Sequence, residues 1–360
     1  MEEMQSSLFN MSQMCFIFSK KPLNYALLFF FLTMLHGNER FLNYPLSGDA
    51  ICKTYEIQIP DYESAHNPSI VSYRDGYLLS FRCLARFPEW SQDKLIDTVS
   101  FIGLAFLDKQ FKVKKKSVQL LEIPTYSDDC SLYAEDARLV VFQDRIFVVF
   151  NDLPAPLPDY QRQLYIAEII YQNGRWVPKK RAMPLFLENM HRIEKNWVPF
   201  FINQSLYFIY GENPHTILAC DLSTGRCRKV DEREVPLDWP YGIIRGGTPA
   251  LKVGDEFLTF YHSSLLPSAL HENRIYFMGA YTFEDSFPFA IRSFTPVPIG
   301  LAEYYKEISS KKHLSKKAVF PGSFVQEGNT IHLAWGKDDK RVMITSLDLD
   351  KLRQSMQKIR

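Results

Sequence analysis

One pattern returns along this chain: a small residue or proline, an apolar strand, a short polar turn, and a second apolar or aromatic strand. It occurs five times, as NPSIVSYRDGYLLSFR from Asn67, EDARLVVFQDRIFVVFND from Glu135, NWVPFFINQSLYFIYGENPHTILACD from Asn196, GGTPALKVGDEFLTFYH from Gly246 and FPGSFVQEGNTIHLAWGKDDKRVMITSLD from Phe320. With Pro68, Ala137, Pro199, Pro249 and Pro321 as equivalent marks, the copies recur at intervals of about 50 to 72 residues, the size of a supersecondary unit. Further β-rich segments (RQLYIAEIIY, HTILACDL, RIYFMGAYTF, VMITSLDL) stand where a third strand of each unit belongs. A four-stranded unit cannot bury both faces alone, whereas five arranged around an axis can. The expected fold is therefore all-β, a five-bladed β-propeller over 46–360 with antiparallel four-stranded blades around a central channel. A β-sandwich would give no reason for the same hairpin to return at such wide spacing.

Composition narrows the function without naming it. Lys plus Arg is 42 against 41 for Asp plus Glu, so no global field draws nucleic acid or an acidic membrane surface. The first 45 residues differ from the rest: Lys20 and Lys21 precede an apolar run from Leu23 to Leu35. That run suits a signal peptide or a short signal anchor better than a full bilayer span. The expectation is an exported or membrane-anchored protein. Beyond this leader lie Cys52, Cys83, Cys130, Cys220 and Cys227, with no zinc spacing. Cys220 and Cys227 flank a Ser-Thr-Gly turn, which fits either a hairpin disulfide or two reduced core thiols.

The first strand of a propeller blade lines the channel, so charges at its start face a shared cavity instead of packed neighbours. This explains why the second copy opens on Glu135, Asp136 and Arg138 before its apolar run. The same logic brings Asn67, Lys195, Asn196, Arg245, Thr248 and Ser323 to the channel mouth. Hairpin ends add Arg82, Asp152, His215, His262 and 337–339. Trp239 and Tyr241, in a loop just before a channel strand, are placed to offer aromatic faces to a ligand, while Trp197 and Trp335 sit in apolar runs and are expected in the core. Trp90 is a further aromatic candidate. Asp348 and Asp350 have a metal-compatible spacing but read better as a terminal strand. No metal or organic cofactor is expected.

Taken in order, NPSI, EDARL, EKNWVPF, FLTFYH, YFMGAYTFED and VFPGSFVQEGNTIHLAWGKDD resemble the motifs of glycoside hydrolase family 130, the five-bladed β-mannoside phosphorylases with their hydrolase and transferase relatives. The resemblance runs from about Asn67 to Leu352. It implies an enzyme acting on a mannose-containing glycan, with Asp136 matching the family's proton donor in a Glu-Asp-Pro-Arg motif. Ala137 departs from that motif's proline. A carboxyl held near neutrality by burial and by Glu135 would suit proton donation to a glycosidic oxygen.

Substrate contacts are then expected from Asn67, Glu135, Arg138, Asn196, Arg245, Thr248, Trp239 and Tyr241. Phosphate contacts are expected from Lys195, which matches the family's lysine, and from His215 and His262. Inverting phosphorolysis, with inorganic phosphate as co-substrate, needs only the acid and a cationic cradle. Hydrolysis needs a second carboxylate to activate water, for which Glu194, Glu212 and Asp338 are the candidates. Mannosyl transfer from an activated donor, and a non-catalytic glycan- or protein-binding propeller, are the remaining readings.

Overall fold

Each copy of the repeat folds as two antiparallel strands joined by a tight turn. The computed structural model describes residues 44–84, 99–125, 131, 133–153, 161–266, 274–306 and 317–359, and one compact unit runs from Pro45 to Arg360. Five separate sheets follow one another along the chain. Blade one is built from His66–Tyr73, Gly76–Leu84, Ser100–Leu107 and Gln119–Leu120; blade two from Glu135–Phe142, Arg145–Asp152 and Gln163–Gln172, edged by Arg175–Pro178 and Met183–Pro184. In blade three, Val198–Ile202, Ser205–Glu212, His215–Cys220 and Arg226–Arg233 are antiparallel, and the short Phe186–Leu187 adds a parallel edge. Blade four centres on Glu256–Leu265 and Ile275–Glu284; blade five holds Val319–Glu327, Thr330–Lys337 and Arg341–Asp348.

Blade five takes its outermost strand from the other end of the sequence. Ile51–Ile57 pairs antiparallel with Arg341–Asp348, Ile51 facing Leu347. This strand joins the two ends of the ring, so the propeller closes by backbone hydrogen bonds within one sheet.

The apolar runs are nearly continuous because both faces of a blade are covered. In Arg145–Asp152, Ile146, Val148 and Phe150 pack towards blade one, and the alternate Phe147 and Val149 pack towards blade three. That alternation is the two-residue period of a strand, applied to two cores at once. Trp197 and Trp335 are fully buried, as their apolar surroundings require.

Three local findings bear on the sequence expectations. Cys220 and Cys227 form a disulfide across the hairpin of blade three, while Cys52 and Cys83 are free. The last long strand ends at Asp348, whose side chain accepts a hydrogen bond from the Lys351 backbone N–H and caps a short helix, Leu349–Gln354. The expected strand through Asp350 is therefore corrected, because the aspartate caps a helix better than it extends a ladder. Residues 1–43 of the leader and Trp90 lie outside the described residues. Among the described residues no helix is long and apolar enough to cross a membrane.

Candidate functional site

The innermost strands of blades one and two enter the sheet through a bulge. The ladder slips between His66 and Ser69 and between Glu135 and Arg138. At the extra position sit Asn67 and Asp136, with φ of 46° and 53°, and Asn196 at the head of blade three has φ of 65°. Left-handed backbone is uncommon for residues other than glycine and is best tolerated by Asn and Asp. A bulge re-aims the side chain it carries, and the two bulge residues and Asn196 line one cavity. The charges that open the strand at Glu135 thus belong to a cavity.

That cavity measures about 290 Å³ and is lined by Asn67, Arg82, Glu135, Asp136, Lys195, Asn196, Arg245, His262, Tyr276, Ala318, Phe320 and Asp339. A larger groove of about 640 Å³ runs along the outer part of blade four, where the exposed Arg292 pairs with the half-buried Glu284. The smaller cavity holds the buried charges and is the better candidate for chemistry.

Its electrostatics are built in two layers. Glu135 is buried and gathers three cations: Arg82 at 2.7 Å, Arg162 at 2.9 Å and Lys195 at 2.7 Å. Asp136 accepts a hydrogen bond from the Asn67 amide at 2.9 Å, with the Arg82 guanidinium 4.0 Å away. Burial pushes the Asp136 carboxyl up, but Arg82, Lys195, the Asn67 amide and Arg138 together outweigh it and hold the group at about 2. The carboxyl expected near neutrality is therefore a carboxylate, because its cationic neighbours outnumber the one anion beside it.

Arg138 lies behind the cavity and ties blade two to blade four. Its guanidinium donates to the carbonyls of Gly247 and, at 3.2 Å, Gly246, and lies 3.4 Å from Asn196 Oδ1. Only glycine fits at 246, where a Cβ would come within 2.1 Å of the Asn196 carbonyl. Burial lowers the Arg138 guanidinium to about 10, against the pull of Asp136 and Glu212.

The structure gathers nine of the expected residues in this cavity: Asn67, Arg82, Glu135, Asp136, Lys195, Asn196, Arg245, His262 and Asp339. Arg138 stands behind it, and His215, Trp239, Tyr241 and Thr248 lie elsewhere. His215 is fully buried, its Nε2 3.0 Å from the Phe289 carbonyl and its ring against Tyr281 and Phe283. It fills the space between blades three and four, so it does not supply a phosphate contact in this arrangement. Trp239 and Tyr241 are also core residues. The Trp239 indole donates to Ser263 Oγ at 2.8 Å and packs on Tyr241 and Tyr261, which leaves neither ring facing the cavity. Thr248 is buried where the inner strand of blade four is interrupted; its hydroxyl accepts from the Phe260 N–H at 2.9 Å.

His262 does line the cavity, but burial first, then Arg138 and Arg245, lower its pKa to about 3, so it is a neutral imidazole. Among the hydrolytic candidates, Glu194 is taken up by the Trp197 indole, the Tyr210 hydroxyl and the His191 N–H. Glu212 is buried, and burial, against Arg138 and Arg245, raises it to about 8. Asp338 accepts from the Ala318 N–H and is raised by burial to about 6. Arg162 and Tyr276 join the site without having been singled out. Arg162 immediately precedes Gln163–Gln172 and Tyr276 is the second residue of Ile275–Glu284, strands that the pattern marked only as apolar segments, and the position near a strand head was the available signal.

Comparison with known proteins places this geometry in context. No protein-family model matches the chain. Beta-mannosyltransferase 3 of Komagataella phaffii is 40% identical over 145 residues, which are 38% of this chain and 23% of that protein. Beta-mannosyltransferase 3 of Candida albicans is 27% identical over 188 residues, 45% of this chain and 33% of that protein. These matches thus span at most a third of the curated relatives. Among solved structures, beta-1,2-mannobiose phosphorylase from Listeria innocua superposes with a TM-score of 0.57 at 16% identity, over 87% of this chain and 95% of that one. A mannose phosphorylase from Leishmania mexicana, in complex with phosphate ion, gives 0.54 at 10% identity over 93% and 96%. The resemblance read from the motifs stands: this chain has the five-bladed propeller of the mannoside phosphorylases of glycoside hydrolase family 130, together with local sequence similarity to fungal β-mannosyltransferases.

Proposed function

We propose that this chain is a carbohydrate-active enzyme working on β-mannosides, and that it transfers a mannosyl group from an activated donor to a hydroxyl of a mannose-containing glycan. The observation that carries the reading is the Asp136 carboxylate, held ionised at the cavity by Arg82, Lys195 and Asn67. An ionised carboxylate begins the cycle as a proton acceptor. In transfer, the acceptor O–H gives its proton to Asp136, directly or through a neighbouring sugar hydroxyl. Its oxygen bonds to the anomeric carbon, and the bond from that carbon to the donor phosphate breaks with the electron pair leaving on phosphate. An α-linked donor displaced in line yields a β-mannoside.

The partners of the cations favour transfer over phosphorolysis. Of the three groups expected to contact free phosphate, Lys195 is paired with Glu135, His215 is in the core and His262 is neutral; Arg138, a further cation beside the cavity, is bound to backbone carbonyls. Arg245 is exposed at the mouth, where it suits the phosphate of a bound donor. The similarity to proteins named β-mannosyltransferases supports the same choice. Phosphorolysis is the second reading, favoured by Arg245 and Lys195 lining one cavity in a fold shared with phosphorylases.

One panel separates the readings. The protein is incubated with a β-mannoside acceptor and either nucleotide-activated mannose or mannose 1-phosphate, then with the β-mannoside alone, with and without phosphate, beside Asp136→Asn. Elongation from the nucleotide donor, lost in the variant, is expected. Mannose 1-phosphate released only when phosphate is present would replace transfer by phosphorolysis. Free mannose in both conditions would establish hydrolysis, and an inert protein that retains glycan binding would leave a binding module.

A further inference from the structure

The sequence Asn203-Gln204-Ser205 meets the acceptor pattern for N-linked glycosylation, and the site chemistry makes no use of it. All three residues are exposed. Asn203 and Gln204, at φ of 47° and 68°, form the turn between Val198–Ile202 and Ser205–Glu212 of blade three, and Ser205 opens the second strand. The turn lies at the far end of a strand whose head, Asn196, lines the cavity. An extended chain puts roughly 20 Å between them, so a large substituent on Asn203 would leave the mouth open.

A second feature of the same blade fits the compartment such a modification needs. Leu206, next to Ser205, pairs with Cys220, and Cys220 is disulfide-bonded to Cys227. Sequon and disulfide therefore occupy the same end of one blade. Disulfides form and persist in oxidising compartments such as the lumen of the endoplasmic reticulum, where N-glycosylation also takes place. The neighbouring turn is polar and exposed at Asp221, Ser223 and Thr224, giving a bulky oligosaccharide an open, hydrated surface.

We infer that Asn203 is an N-glycosylation site, its glycan standing on the face opposite the cavity. The Asn203 Nδ2 loses a proton and bonds to the anomeric carbon of an oligosaccharide carried on a lipid diphosphate. The bond from that carbon to the diphosphate breaks, and the lipid diphosphate leaves with the electron pair. The inference is independent of the proposed reaction.

The full chain is produced in a glycosylating eukaryotic host, and the peptide containing Asn203 is mapped by mass spectrometry before and after an N-glycan-cleaving glycosidase. Ser205→Ala removes the acceptor pattern and Ser205→Thr keeps it, both on an exposed turn that either residue tolerates. The expected result is a glycosidase-sensitive mass on that peptide in the parent and in Ser205→Thr, absent from Ser205→Ala. Thiol labelling without reductant reports in parallel on Cys220 and Cys227. An unmodified Asn203 peptide in a protein whose Cys220 and Cys227 resist labelling would overturn the inference, as would free thiols at both cysteines with no glycan.

Discussion

At the level of single residues, the cavity sets charge states that differ from those of free side chains, and each difference has a measurable sign. Asp136→Asn keeps the hydrogen-bonding shape but cannot take a proton, so transfer is expected to fall by about 10² to 10⁴-fold, with the far-ultraviolet circular dichroism unchanged. Glu212 shows the opposite perturbation. Burial keeps it protonated in the fold to about 8, whereas in the unfolded chain it ionises near its ordinary value. The native state then holds the extra proton, and stability falls as pH rises from the unfolded value through about 8, at up to about 1.4 kcal/mol per pH unit. Between pH 6.5 and 8 the melting temperature is expected to decline, and Glu212→Gln should flatten that decline; an unchanged slope would mean that the carboxyl is already ionised. His215 and His262, lowered to about 4 and 3, act on the other side: their stabilisation is present above the unfolded value and is lost as pH falls through the folded values. Much of this site was legible in the sequence because Glu135, Asp136, Lys195 and Asn196 stand at the heads of inner strands, where a propeller leaves no other place for charge. His215 was misplaced because a hairpin end does not say which way its side chain turns. The ladder slips between Ile209 and Gly211 just before it, and the ring is buried between blades.

Among the elements, the hairpin is the unit that reveals the fold, since its turn residues and apolar flanks are local. Strand number at blade edges is not. Phe186–Leu187 and Gln357–Lys358 are two-residue additions with no periodicity to find, and they form only because a neighbouring edge offers unpaired backbone groups. The disulfide of blade three cross-links a short hairpin, so replacing Cys220 and Cys227 by serine should cost about 2 kcal/mol, the low end for closing a short loop. Chemical denaturation would measure this, and activity should be retained because the bridge is far from the cavity. Arg138 is less replaceable. Arg138→Lys retains a charge but loses the fork that serves Gly246 and Gly247, and a stability loss of about 1 to 3 kcal/mol is expected from the buried carbonyl left without a partner.

For the whole molecule, the axial cluster and the closing strand do separate work. Glu135 gathers Arg82 from blade one, Arg162 from blade two and Lys195 from the approach to blade three, so the chemistry depends on blades held in register. Removing Ile51–Ile57 exposes the edge strand Arg341–Asp348 and opens the ring. The expected outcome is loss of cooperative unfolding together with loss of glycan binding, read by calorimetry and a binding assay on the same preparation. The same strand also governs how the chain is made. Thr54 and Thr345 join across the closure by hydrogen-bonded hydroxyls although 291 residues separate them, and at about 5 to 20 residues per second a ribosome needs roughly 15 to 60 s to span that interval. Ile51–Ile57 thus emerges long before its partner strand, which makes its solvent-exposed lifetime during synthesis, and any chaperone that shelters it, a determinant of how much ring-closed protein a cell obtains.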